Sequence, residues 1–153
     1  MLFLKRQLLI VFLIVSSLGI AQKSAVYTSD LQDYQKALTL YNNKQYKAAQ
    51  SLFDDIKYNT DDVTIKSDCA YYIANCAVRL NQRNADDLIT EFVEEYPTST
   101  KRNTAFLDVA DYYFNNGKYS YARKWYQKVD EGSIARTEKE RFNFNYGYSL
   151  YST

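Results

Sequence analysis

Apolar residues along this chain recur every three or four positions, in runs broken by short polar stretches, which is the periodicity of amphipathic helices. The clearest run places Phe106, Val109, Ala110 and Tyr113 ahead of Gly117, then Tyr119, Ala122, Tyr126 and Val129. It predicts two helices joined by a tight turn at Gly117, each with a small residue near its middle. The same arrangement is predicted upstream, where a helix through Ala37 and Leu40 ends near Asn42. A turn over Asn42-Asn43-Lys44-Gln45 then leads into a helix carrying Tyr46, Ala49, Phe53 and Ile56. Asp33 and Lys36 break this first pattern, because they stand where apolar residues are usual. Between these two units lies a weaker one, with Cys69, Ala70, Ile73, Ala74 and Ala77 on its first helix. Ala85, Ile89 and Phe92 mark its second helix, which Pro97 stops. The turn of that unit lacks both Gly and Tyr.

Helix starts are predicted from polar residues that satisfy free backbone N–H groups. Ser29-Asp30-Leu31-Gln32 and Thr137-Glu138-Lys139-Glu140 read as capping boxes, and Asp61-Asp62 as an acidic cap. After the second box come Phe142, Tyr146, Gly147 and Leu150, which predict one more helix.

Spacing ties these helices into one series. The small residues of the first helices are Ala37, Ala74, Ala110 and Gly147, separated by 37, 36 and 37. Those of the second helices are Ala49, Ala85 and Ala122, separated by 36 and 37. Two ladders with one period imply a repeated helical hairpin. The physical cause is close packing, since a small side chain at a crossing lets two helix axes approach to about 8 Å. Phe53, Tyr113, Tyr126 and Val129 are then expected to fill the space between neighbouring hairpins. A single hairpin cannot bury its apolar face, so the hairpins stack.

The pattern from Phe106 to Val129 resembles the tetratricopeptide repeat (TPR), and the resemblance extends over roughly 31–151. It implies an all-α fold, an α-α superhelix of antiparallel hairpins stacked in a solenoid. The units fall at about 29–60, 61–98 and 99–134, with the first helix of a fourth at 137–153. The period exceeds the usual ~34 residues of the family, so the linkers should be two or three residues longer. The linker from Phe92 to Ser99, with Tyr96-Pro97 and Ser99, is similar to that of periplasmic TPR proteins of the Tol–Pal and outer-membrane assembly machinery. The last predicted helix lacks its partner, and the chain is therefore expected to be the N-terminal part of a longer product.

Met1 to Ala21 has Lys5 and Arg6, an apolar run from Leu8 to Val15, and small residues at Gly19 and Ala21. That is the pattern of a secretory signal peptide with cleavage after Ala21, followed by a short leader over 22–28. The apolar stretch is shorter than the ~20 residues of a membrane span. Cleavage would leave 17 basic against 18 acidic residues, a nearly neutral exported chain with no expected membrane span and no footprint for nucleic acid. The expected location is the periplasm, with outer-membrane association only through partners.

Composition narrows the chemistry. One Pro and four Gly favour helices, and the absence of His removes the commonest general base and metal ligand. Cys69 and Cys76 lie seven residues apart on one predicted helix, about 10 Å along its axis. A disulfide needs Cα atoms within about 7 Å, so these residues are expected to be buried small hydrophobes rather than a redox pair. The acidic doublets Asp54-Asp55, Asp61-Asp62, Asp86-Asp87 and Glu94-Glu95 point in divergent directions on a helix and read as caps and solvated faces. No catalytic residues, metal or cofactor are expected.

The resemblance further implies that the first helices line a groove that takes a peptide or partner helix. Carried over by position, its candidates are Tyr34, Tyr41, Asn42, Tyr71, Asn75, Arg79, Asp111, Phe114, Asn115 and Tyr148. Asn75, Arg79, Asp111 and Asn115 are the leading four, while Tyr46, Tyr113, Tyr119 and Tyr126 are expected to be packing residues. The function expected is a non-catalytic interaction scaffold of the cell envelope, with self-association left open. The alternative is the sensory or docking arm of a larger signalling enzyme whose catalytic domain lies beyond residue 153.

Overall fold

The computed structural model describes residues 31–153, and the expected signal peptide, the leader and the first two residues of the Ser29 capping box lie outside them. The described residues are all-α, with seven α-helices and no strand among them. Helix α1 covers 31–42, α2 Tyr46–Asn59, α3 Val63–Arg79 and α4 Ala85–Glu95. Then follow α5 Arg102–Asn115, α6 Tyr119–Tyr126, a 3₁₀ turn at Glu131–Ser133, and α7 Arg136–Tyr151.

The helices pair as α1–α2, α3–α4 and α5–α6, and one turn geometry closes all three hairpins. Lys44, Asn81 and Gly117 hold left-handed φ values of 61°, 54° and 70°. The N–H of the next residue donates back to the last turn of the preceding helix in each case: Gln45 to Leu40, Gln82 to Ala77 and Lys118 to Tyr113, all at 2.9 Å. This is the Schellman closure, which satisfies carbonyls that a helix end leaves without partners. Its three left-handed residues are 37 and 36 apart, the same period as the two ladders of small residues. Glycine marks only the third turn. Asn81 supplies the second because its short polar side chain tolerates the left-handed region, and Lys44 adopts it in the first.

Starts are less uniform. Asp62 caps α3, its Oδ1 accepting from the N–H groups of Thr64 at 2.8 Å and Ile65 at 3.0 Å. The capping box at Thr137 is not used. The residue flanking α7 is Ala135, with no side-chain cap, and Glu138 bonds Arg141 instead. The chain enters α7 from the 3₁₀ turn, held by Asp130 accepting from Gly132, with buried Ile134 as the anchor. Hydrophobic anchoring fixes that entry, so the helix starts one residue ahead of Thr137.

Three apolar clusters hold the hairpins together. The first joins Ala37, Ala49, Phe53 and Ile56 to Ile65, Cys69, Ile73 and Cys76 of α3. The second, between α3, α4 and α5, gathers Ala70, Tyr71, Phe92, Tyr96 and Ala105. The largest runs from Ala74 and Ile89 through Leu107, Ala110, Ala122 and Trp125 to Phe142 of α7. Helix α3 contributes to all three, which is why apolar residues lie on most of its circumference. Six of the seven small rungs, Ala37, Ala74, Ala110, Ala49, Ala85 and Ala122, are at most 3 % exposed. The seventh departs from the packing explanation: Gly147 is exposed, and a Cβ added there would meet nothing within 4 Å. Trp125, absent from the expected core, is fully buried against Phe106. Cys69 and Cys76 are both buried, and burial pushes the Cys76 thiol up to about 12.

Candidate functional site

The first helices are stitched to one another by tyrosine–carboxylate contacts. Tyr34 of α1 donates its hydroxyl to Asp68 of α3 at 2.9 Å, and Tyr71 of α3 donates to Asp108 of α5 at 2.6 Å. Asp111 of α5 accepts from Asn145 of α7 at 3.1 Å and also from the hydroxyl of Tyr126 on α6. Burial, reinforced by the neighbouring carboxylate, raises the phenols of Tyr34, Tyr71 and Tyr126 well above the usual tyrosine range. Each therefore keeps its proton and acts as the donor. The contacts of Tyr34, Tyr71 and Asn145 cross from one hairpin to the next, whereas Tyr126 reaches Asp111 within the α5–α6 hairpin; hydrogen bonds to a charged acceptor are stronger than neutral ones.

Between α3, α5 and α7 the same face opens into a depression of about 420 Å³. Tyr71, Arg79, Asp111 and Asn115 of the expected groove line it, together with Asp108, Tyr112, Glu138 and Arg141. Arg79 is held in place by two contacts to Asn75, from its Nη1 to the side-chain oxygen at 2.9 Å and to the carbonyl at 3.1 Å. Its guanidinium lies 5.0, 5.7 and 5.1 Å from the ring centroids of Tyr41, Tyr46 and Tyr112, an arrangement stabilised by the negative faces of the rings. Arg141 binds both Asp111 and Glu138 at 3.1 Å.

The other expected groove residues divide by environment. Asn75 has no exposed surface, and its amide donates to the Tyr71 carbonyl at 3.1 Å. It serves by fixing Arg79, because a side chain with that burial presents nothing to a ligand. Tyr34 packs edge-on against Phe53 and Tyr72, away from the depression. Phe114 and Tyr148 form a separate aromatic group with Tyr119, and Asn42 is exposed beside the first turn. Asp111 is part of the depression but is committed to Tyr126, Asn145 and Arg141.

Asp108, Tyr112, Glu138 and Arg141 were not among the expected residues. A signal for Asp108 existed: Tyr34, Tyr71, Asp108 and Asn145 are each 37 apart, one position per unit. The charges that α7 contributes could not be placed without its rotation about its own axis. Burial raises the Asp108 carboxyl above the usual range, and the nearby charges of Asp111 and Glu138 add to this. The Tyr71 hydrogen bond and Arg79 act in the opposite direction.

No family model, curated protein or solved structure matches the chain. Among the described residues no group of three His, Cys, Asp or Glu is placed to hold a metal ion, and no helix is long and apolar enough to cross a membrane.

Proposed function

We propose that this protein is a TPR-like interaction scaffold and that the depression between α3, α5 and α7 receives a segment of a partner protein. One observation carries the reading. Tyrosines, two guanidiniums, three carboxylates and an exposed amide converge from three successive first helices, on supports already fixed by partly buried hydrogen bonds. A surface ordered before binding loses little conformational freedom when a partner arrives. Mixed aromatic and polar character suits an extended peptide, whose backbone needs donors and acceptors and whose side chains need shallow pockets. The three identical hairpin turns at the period of the small-residue ladders support the solenoid part of the reading. In this reading the protein is non-catalytic and works in the cell envelope after export. The Lys5, Arg6 and Leu8–Val15 pattern supports that location.

Asn115 gives a direct test, because it lines the depression, is exposed and makes no side-chain hydrogen bond among the described residues. Asn115→Trp should fill the depression without disturbing the core. The wild type, immobilised and exposed to a random peptide library, is expected to retain a defined subset of peptides. The variant should lose that subset with its helical circular dichroism and melting temperature unchanged. Retention of the same peptides by the variant, or of none by the wild type, would remove the depression as the docking site.

A further inference from the structure

The three carboxylates that accept from tyrosines are alike in one respect and unlike in another. Asp68 has the ammonium of Lys101 at 3.2 Å, and Asp111 has the guanidinium of Arg141 at 3.1 Å. Asp108 accepts from Tyr71 and has no ion pair among the described residues. Neighbouring cations are engaged elsewhere: Arg141 is shared by Asp111 and Glu138, and Arg79 is turned to Asn75 and three aromatic rings. Of the three carboxylates, Asp108 is thus the one without an ion pair among the described residues; the charge of Arg79 reaches it without a direct contact, and it lines the depression.

We infer that Asp108 receives a lysine or arginine side chain of the bound segment, which supplies there the cation that Lys101 and Arg141 supply at the other two positions. The inference rests on the docking reading above and names the chemistry of its occupant. Burial favours the pairing, because a carboxylate already withdrawn from water gives up little further hydration when a cation arrives. The neutral Tyr71 hydroxyl orients the carboxylate without neutralising it. Tyr71 and Tyr112 line the same depression beside Asp108.

The test uses the full chain and a peptide library in which one position is varied among Lys, Arg, Gln, Leu and Glu. Wild type should favour Lys or Arg over Gln by about tenfold, the scale of one charge-assisted hydrogen bond. Asp108→Asn can still accept from Tyr71, so the fold should persist while the preference falls towards unity and uncharged peptides stay bound. Asp87→Asn removes the same charge from an exposed site on α4 and should leave the preference intact. Binding without a basic preference, or a preference that survives Asp108→Asn, overturns the inference and leaves the docking reading standing. Equal loss in both variants assigns the preference to net charge and overturns it too. Failure of the wild type to bind any peptide removes both.

Discussion

Helices α5 and α7 hold the same place in the repeat and live in opposite surroundings. Ala110 of α5 has no exposed surface, whereas Gly147, one period later, faces open space. Leu107 is 2 % exposed and its counterpart Phe144 is 67 % exposed. Tyr113 is buried and stacks on Tyr121, while its counterpart Leu150 is 46 % exposed. The difference is α6, which covers α5, whereas the corresponding face of α7 is open among the described residues. An apolar stripe at helical spacing therefore marks where a helix can be received. Burial, and the stability that comes with it, depends on what is received there.

The largest expected effect is at the helix that covers α5. Trp125→Ala deletes a fully buried indole against Phe106 and should cost about 3–5 kcal/mol in chemical denaturation. Phe144→Ala, an aromatic deletion of similar chemistry on the open face, should stay within about 0.5 kcal/mol of wild type. Similar losses in the two variants would mean that the face of α7 is covered in solution and would dissolve the contrast.

A sharper version compares the rungs themselves. Ala110→Leu forces a bulky group into the tightly packed region between α5 and α6 and should cost about 1–3 kcal/mol. At Gly147 an added Cβ meets nothing within 4 Å, and Gly147→Leu on that exposed face should cost nothing. Thermal melts of the two variants, run side by side, separate a packing role from a shared sequence pattern. A loss at Gly147 as large as that at Ala110 would show that the spacing alone predicts burial.

The repeat was legible because its signal is simple. Small residues at one period need only a count, and the hairpins they predict are the hairpins observed. The left-handed closure of the first two turns is not legible, because Lys44 and Asn81 are not glycines, yet the closure of a helix end can impose a left-handed φ on other residues. Trp125 was missed because it lies just before Tyr126, the position that the repeat pattern marks. At the candidate site, four expected residues converge on one depression. Asn75 is expected on the groove face but is fully buried, because a one-residue difference in helical rotation separates a side chain that faces solvent from one that faces the core. Its role as a support for Arg79 is a consequence of burial, and a linear pattern does not encode burial. Charges on α7 were invisible for the same reason.

Caps extend the comparison to helix starts. Asp62→Ala removes the acceptor for two N–H groups of α3 and should cost about 1 kcal/mol. Thr137→Ala should change little, since Thr137 lies inside α7 and makes no capping contact. Denaturation midpoints measured at equal slope give both values. A matching loss at Thr137 would show that the capping box forms in solution and that the helix starts later than Arg136.

The smallest effect has the opposite sign. Glycine within a helix loses more backbone freedom on folding than alanine does, by about 0.5–1 kcal/mol. That penalty is usually accepted where a neighbouring helix needs the space, as the fully buried alanines of the other rungs suggest. At Gly147 nothing stands within 4 Å of an added Cβ. Gly147→Ala should therefore raise stability by about 0.5–1 kcal/mol, seen as a higher melting temperature with unchanged helical circular dichroism. A loss in place of the gain would mean that something packs against this rung in solution. In that case the glycine, like Ala110, would be small for the sake of a neighbour.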